Sequence, residues 1–131
     1  PHTTSGVIAK AAVEVAERVG AKYLVAFTKT GDTALRLCRL RSEIQVLAFS
    51  PNPTTSQEMT LAWGVKAWTT PEFTTVDSMV TYVSEVLTQE TLEIDDKPAP
   101  MLTTGDQVVI VMGNPRHTAG KTNSLRVLEI L

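Results

Sequence analysis

Apolar residues at Val7, Ile8, Ala11, Ala12, Val15, Ala16 and Val19 recur at the spacing of one helix face. Ser5 or Thr4 can cap that helix, and Gly20 stands where it would end. The next segment, KYLVAFT from Lys22 to Thr28, is short and continuously apolar, as a strand covered on both faces should be. A second helix is expected from about Asp32 to Arg41, then a second strand, IQVLAF, from Ile44 to Phe49. The sharp turn after it opens a third helix, where Thr54 with Gln57 or Thr55 with Glu58 can form a capping box, and Gly64 closes it. VKAWTT, Val65 to Thr70, predicts a third strand. Thr75 should cap a long helix with Val76, Met79, Val80, Val83, Val86 and Leu87 on one stripe and Asp77 favourably placed in its first turn. The polar, proline-bearing stretch from Glu90 to Gly105 reads as a surface loop. DQVVIVMG is the strongest strand signal in the chain, and SLRVLEIL forms a last strand at the edge.

Strands alternating with helices over short connections imply one α/β domain: five strands, mostly parallel, with helices on both faces. The last strand follows a loop without a helix and should run antiparallel, because parallel neighbours need a long crossover. The 131 residues suit one domain, and 43% hydrophobic content supports a core without staples. No repeat, second domain or low-complexity segment is visible.

Charge and cysteine content narrow the function. A net charge of −2 without like-charge blocks argues against nucleic-acid or membrane-surface binding. No apolar run approaches the ~20 residues of a membrane span. A single cysteine, Cys38, cannot form an internal disulfide, which fits a reducing, cytoplasmic setting; inside an apolar helix it reads as a packed thiol. The opening PHTTSG lacks the pattern of a secretory signal, and Pro1 in place of an initiator Met suggests a processed chain or a fragment. His2 and His117 have no partners at metal spacing, so no metal site is expected. Trp63 and Trp68 read as core or interface residues, and Arg36, Arg39 and Arg41 as a solvated or subunit-facing side of the second helix.

One turn stands out. TKTGDT, Thr28 to Thr33, follows the carboxyl end of the first strand, where ligands bind in such sheets. Gly31 permits close approach to the backbone, and the next helix offers free N–H groups and the positive end of its dipole to an anion. Thr28, Thr30 and Thr33 add hydroxyls and Lys29 a positive charge, while Asp32 opposes an anion unless it turns away. These are the materials of a phosphate cradle, although the Walker A spacing is absent. They are equally the materials of an ordinary helix start, with Asp32 as its cap. A second loop, Gly113 to Asn123, follows another strand's carboxyl end and carries Arg116, His117, Thr118, Gly120 and Lys121. On the same sheet edge it would fold over a ligand held by the first; otherwise it is a solvated connection.

Three segments, taken together, resemble the C-terminal domain of pyruvate kinases: the turn at Thr28 to Thr33 with its flanks, GDQVVIVMG at Gly105 to Gly113, and TNSLRV at Thr122 to Val127. The resemblance covers nearly the whole chain, in order. It implies an α/β unit that does no chemistry, with phosphoryl transfer from phosphoenolpyruvate to ADP in a separate barrel that holds Mg²⁺ and K⁺. No barrel motif occurs in these 131 residues, so no cofactor is expected here. It further implies a phosphorylated effector held by Thr28, Lys29, Thr30, Gly31, Asp32 and Thr33, and closed over by the loop bearing Arg116, Thr118, Gly120 and Lys121. The expected partners are the enzyme's own catalytic domain and its other subunits, in a cytoplasmic homotetramer. Family members activated by fructose 1,6-bisphosphate often have a basic residue where Asp32 stands, and a tryptophan-bearing insertion where this chain has only PEFTT. A sugar monophosphate or AMP is therefore the favoured effector. The alternatives are a free-standing phosphate-binding or assembly module, and a small enzyme using Asp32 or His117 as its base.

Overall fold

The computed structural model describes residues 3–113 and 122–131. At its centre lies β1 (Tyr23–Phe27), with every residue buried. Its side chains divide by the strand's two-residue period. Tyr23, Val25 and Phe27 enter one core, while Leu24 and Ala26 enter the other. Both faces of the strand are covered, which is why its sequence does not alternate.

The elements before and beside it are α1 (Thr4–Val19), α2 (Asp32–Arg39), β2 (Gln45–Ser50), α3 (Pro53–Trp63) and β3 (Lys66–Thr69). They are followed by α4 (Val76–Gln89), β4 (Thr91–Ile94), β5 (Lys97–Pro100), β6 (Gln107–Met112) and β7 (Ser124–Glu129). The main sheet has five strands in the order β3-β2-β1-β6-β7. The pairs β1–β2, β1–β6 and β2–β3 are parallel, and β6–β7 is antiparallel. This is the architecture the sequence predicts, including the reversed last strand.

From β1 the chain steps outward to β2 and β3, with α2 and α3 on the same face as α1. It then crosses back over β1 to reach β6, and α4 lies on the opposite face. Right-handed crossovers require that change of face when the direction of travel reverses. Ala9, Ala12 and Ala16 form the buried stripe of α1, and their small side chains bring that helix close to Val109 and Val111. On the other face Phe49 stacks between Phe27 (5.4 Å between ring centroids) and Trp68 (4.9 Å), with Tyr82 and Phe73 packed at the edges. Trp68 thus joins the core cluster, and its indole N–H donates to Glu90 Oε1 at 2.9 Å.

Several local expectations are corrected. The N-cap of α1 is Thr3, whose hydroxyl accepts from the Gly6 amide, rather than Thr4 or Ser5. Asn52 caps α3 by accepting from the Thr54 amide, and Pro53 occupies the first helical position; neither expected capping box forms. The second helix ends at Arg39, two residues early, and Arg41 takes a left-handed φ of 53°. Thr75 caps α4 as expected, accepting from the Ser78 amide.

The largest correction concerns Glu90 to Gly105, which is not simply a loop. Within it β4 and β5 form a two-stranded antiparallel hairpin turning at Asp95 and Asp96. A two-residue turn makes Ile94 and Lys97 the hydrogen-bonded closing pair, so Glu93–Pro98 and Thr91–Pro100 fall at the alternate, non-bonded pairs. Both prolines therefore direct their missing N–H away from the partner strand. After the hairpin, Met101 and Leu102 return to the core beneath α4.

Candidate functional site

The sheet's order reverses at β1 and β6, whose carboxyl ends lie side by side in parallel register. In open α/β sheets ligands bind in the crevice at such a switch point, outside the carboxyl ends of the strands. The turn Thr28 to Thr33 occupies it.

Thr28 continues β1 by one bond, its amide donating to Phe49 O at 2.9 Å. Its side chain is buried, and the hydroxyl accepts from the Gly31 amide at 2.8 Å. That bond curls the chain back so that Gly31, at φ 97°, becomes the N-cap of α2. Asp32 is the first helical residue and not the cap, and its carboxylate is exposed. No side chain caps α2 from the N-cap position, in contrast to Thr3, Asn52 and Thr75 on the other three helices. The Asp32 amide has only a long bond of 3.4 Å to Thr30 Oγ1, and the first intrahelical bond runs from Leu35 N to Gly31 O. The Thr33 and Ala34 amides, also in the first turn, have no intrahelical partner, as at the start of any α-helix.

The structure brings all six expected turn residues together but exposes them unequally. Lys29, Thr30 and Asp32 face solvent, whereas Thr28, Gly31 and Thr33 are buried. Thr33 is occupied by protein: its hydroxyl lies 2.6 Å from that of Thr122, which is also buried. Arg116, Thr118, Gly120 and Lys121, together with His117, lie outside the described residues.

Other residues support the turn. Thr55 Oγ1 donates to Lys29 O at 2.8 Å, tying the start of α3 to the turn. Trp63, one helical turn beyond Met59, reaches back along α3 to lie against Gly31, because helical side chains tilt toward the N-terminus. Neither role is legible locally, since Thr55 reads as a capping residue and Trp63 as a core or interface residue. Thr122 was part of the segment carrying the family resemblance, but nothing in the sequence pairs its hydroxyl with Thr33.

The wider rim has one chemistry. Among the described residues the buried polar side chains are Thr28, Thr33, Ser50, Thr55, Ser56, Thr70 and Thr122. All are hydroxyls, and all stand at the carboxyl end of the parallel strands. There they close strand ends and helix starts: Ser50 Oγ accepts from the Asn52 amide, Ser56 Oγ donates to Trp68 O, and Thr70 Oγ1 donates to Pro71 O. No described buried side-chain polar atom lacks a partner. Cys38 lies half-buried in α2, where burial raises its thiol pKa above the ordinary value, as suits a packed rather than reactive thiol. Among the described residues no three of His, Cys, Asp and Glu converge as a metal ion would require, and no helix is long and apolar enough to cross a membrane.

The fold and rim thus define an open, doubly wound α/β domain with a hydroxyl-lined switch point. Residues 6–128 match the family described as the pyruvate kinase alpha/beta domain. The chain is 37% identical over 127 residues to a pyruvate kinase of Corynebacterium glutamicum, covering 97% of this chain and 25% of that protein. It is 38% identical over 130 residues to a pyruvate kinase of Mycobacterium tuberculosis, covering 99% and 26%. A crystal structure of a pyruvate kinase from Cryptosporidium parvum shares the fold, with a TM-score of 0.80 at 22% identity, over all of this chain and 23% of that one. The chain belongs to the pyruvate kinase C-terminal, alpha/beta domain family and spans about a quarter of the length of these relatives.

Proposed function

We propose that this chain is the regulatory domain of a pyruvate kinase, binding a phosphorylated effector at the Thr28–Thr33 turn and doing no chemistry itself. The observation that carries this reading is the start of α2. It opens at the switch point without a side chain on its N-cap, beside the exposed Lys29 and Thr30. A helix start with unsatisfied donors and a neighbouring ammonium favours a dianion. Arg116, Thr118, Gly120 and Lys121 enter the reading from sequence alone, as the groups that close over the ligand. Asp32 stands where family members activated by fructose 1,6-bisphosphate often carry a basic residue, so the resemblance favours a sugar monophosphate or AMP over that bisphosphate.

Phosphoryl transfer from phosphoenolpyruvate to ADP, with its Mg²⁺ and K⁺, belongs in this reading to the rest of a longer protein, as the length of the relatives supports. The domain's partners are then that catalytic part and further subunits. Effector binding regulates only to the extent that two arrangements of those partners differ in effector affinity.

Calorimetry of the chain with AMP, ribose 5-phosphate, glucose 6-phosphate and fructose 1,6-bisphosphate tests the reading. A monophosphate should bind most tightly. Lys29→Ala and Thr30→Ala, which remove exposed groups only, should each weaken it about 10- to 100-fold, the worth of one hydrogen bond to a charged group. Absence of binding heat with all four compounds would overturn the proposal.

A further inference from the structure

The contact between Thr33 and Thr122 joins residues 89 positions apart, and Thr122 is held in turn by Ser5, 117 positions away. Ser5 Oγ donates to Thr122 O at 3.3 Å and accepts from the Thr122 amide at 3.2 Å, so one side chain clamps both backbone groups of that residue. One residue further on, the Asn123 amide donates to Met112 O at 3.2 Å, and β7 begins at Ser124. Ser5 itself lies in the first turn of α1, where the Val7 amide donates to Thr3 O.

We propose that Ser5, Thr122 and Thr33 form a hydroxyl strap that couples the Thr28–Thr33 turn to the first turn of α1 and to the entry of β7. The ligand half of this proposal rests on the effector reading; the strap itself does not. Two hydroxyls that share one hydrogen bond use one of their two hydrogens in it. With Thr122 as donor, the hydrogen of Thr33 is left for a third acceptor; with Thr33 as donor, that of Thr122 is left. An oxyanion at the start of α2 takes the Thr33 hydrogen and so obliges Thr122 to donate. Bonds to charged acceptors are the stronger ones, so the anion sets the direction of the pair. Burial sharpens the choice, because a hydroxyl left unpaired away from water is costly. The ordering passes by way of Thr122 to the backbone groups held by Ser5 and to the adjoining edge strand. No covalent bond changes; within the strap, ligand binding fixes which hydroxyl donates, and that added order is what slows exchange along it.

Amide hydrogen exchange, followed residue by residue on the 131-residue chain, separates the two halves, with Val25 in β1 as the reporter of global stability. Without ligand, Thr33→Val keeps the side-chain shape and removes the hydroxyl. Relative to Val25, exchange at Thr122, Asn123 and Val7 should rise about tenfold, the loss of one buried hydrogen bond. Thr33→Ser should restore it. Rates at those three amides that match the unaltered chain in Thr33→Val would overturn the strap. In the second arm AMP or inorganic phosphate is added. Slower exchange should appear at Leu35 and at Val7 in the unaltered chain, and at Leu35 alone in Thr122→Val. Slowing at Val7 that survives Thr122→Val overturns the strap as the route. An unmoved Leu35 with both ligands overturns the effector reading and the ligand half with it, while the ligand-free arm still decides the strap.

Discussion

A side-chain carbon on Gly31 would lie 3.3 Å from the indole ring of Trp63, so the turn and the end of α3 meet backbone to ring. The same glycine holds φ at 97° to place the N-cap of α2. Gly31→Ala therefore meets two obstacles. The indole is half-exposed and can shift by a few tenths of an ångström, but the backbone angle cannot relax without losing the helix start. A left-handed conformation costs about 1–2 kcal/mol in a residue with a Cβ. Denaturant unfolding should show Gly31→Ala destabilised by about that amount, together with a change in Trp63 fluorescence. A midpoint equal to that of the unaltered chain would mean that the turn has another conformation within reach.

The entry to β6 sets a pH dependence. Asp106 accepts from the Thr103 amide at 2.8 Å, and Lys22 lies 3.5 Å from the same carboxylate oxygen. The backbone donor first, and the Lys22 charge after it, hold the Asp106 carboxyl below its ordinary range against the opposing effect of burial. A carboxylate with a lowered folded pKa contributes stability that is fully present above its unfolded value, near pH 4. That contribution is lost as pH falls through the folded value. Urea midpoints measured from pH 2 to pH 7 should fall less steeply on the acid side for Asp106→Asn than for the unaltered chain. Parallel curves below pH 4 would remove Asp106 from the acid response.

The hairpin turn carries strain that can be relieved. Asp95 and Asp96 both have positive φ, 53° and 62°, as a type I′ turn demands, and they place two like charges side by side. Asn at the first position and Gly at the second are the residues that turn prefers. The double change Asp95→Asn, Asp96→Gly should raise stability by about 0.5–1.5 kcal/mol, seen as a higher Tm. A lower Tm would show that the acidic tip serves an interaction within the fold.

The sequence made the elements legible wherever the signal was local. Val25 and Ile110 lie in unbroken apolar runs, Gly20 and Gly64 follow the last apolar residue of their helices, and Thr75 precedes a clear stripe. Each feature states a preference that its own neighbours suffice to express. The hairpin was missed because Pro98 and Pro100 signal against strand pairing. They are tolerated only because they fall two apart, on the side of β5 turned away from its partner, and that depends on the register the turn imposes. Caps fall one to three residues from their expected positions for a related reason: at the start of α1, for example, Thr3, Thr4 and Ser5 offer the same hydroxyl, and helix packing selects among them.

The order of residues along this chain determined an alternating α/β unit, an antiparallel last strand and a threonine-glycine turn at the end of β1, because apolar periodicity and turn chemistry act over a few residues. Which of those threonines face water was decided only in three dimensions. Thr30 stays outside while Thr33 turns inward to meet Thr122, and Trp63 swings back over Gly31. Such contacts join residues 32 and 89 positions apart: the first exists because β2 pairs with β1 and sets α3 beside the turn, the second because the crossover through α4 brings β6 alongside β1, and neither long-range arrangement is encoded by a local preference.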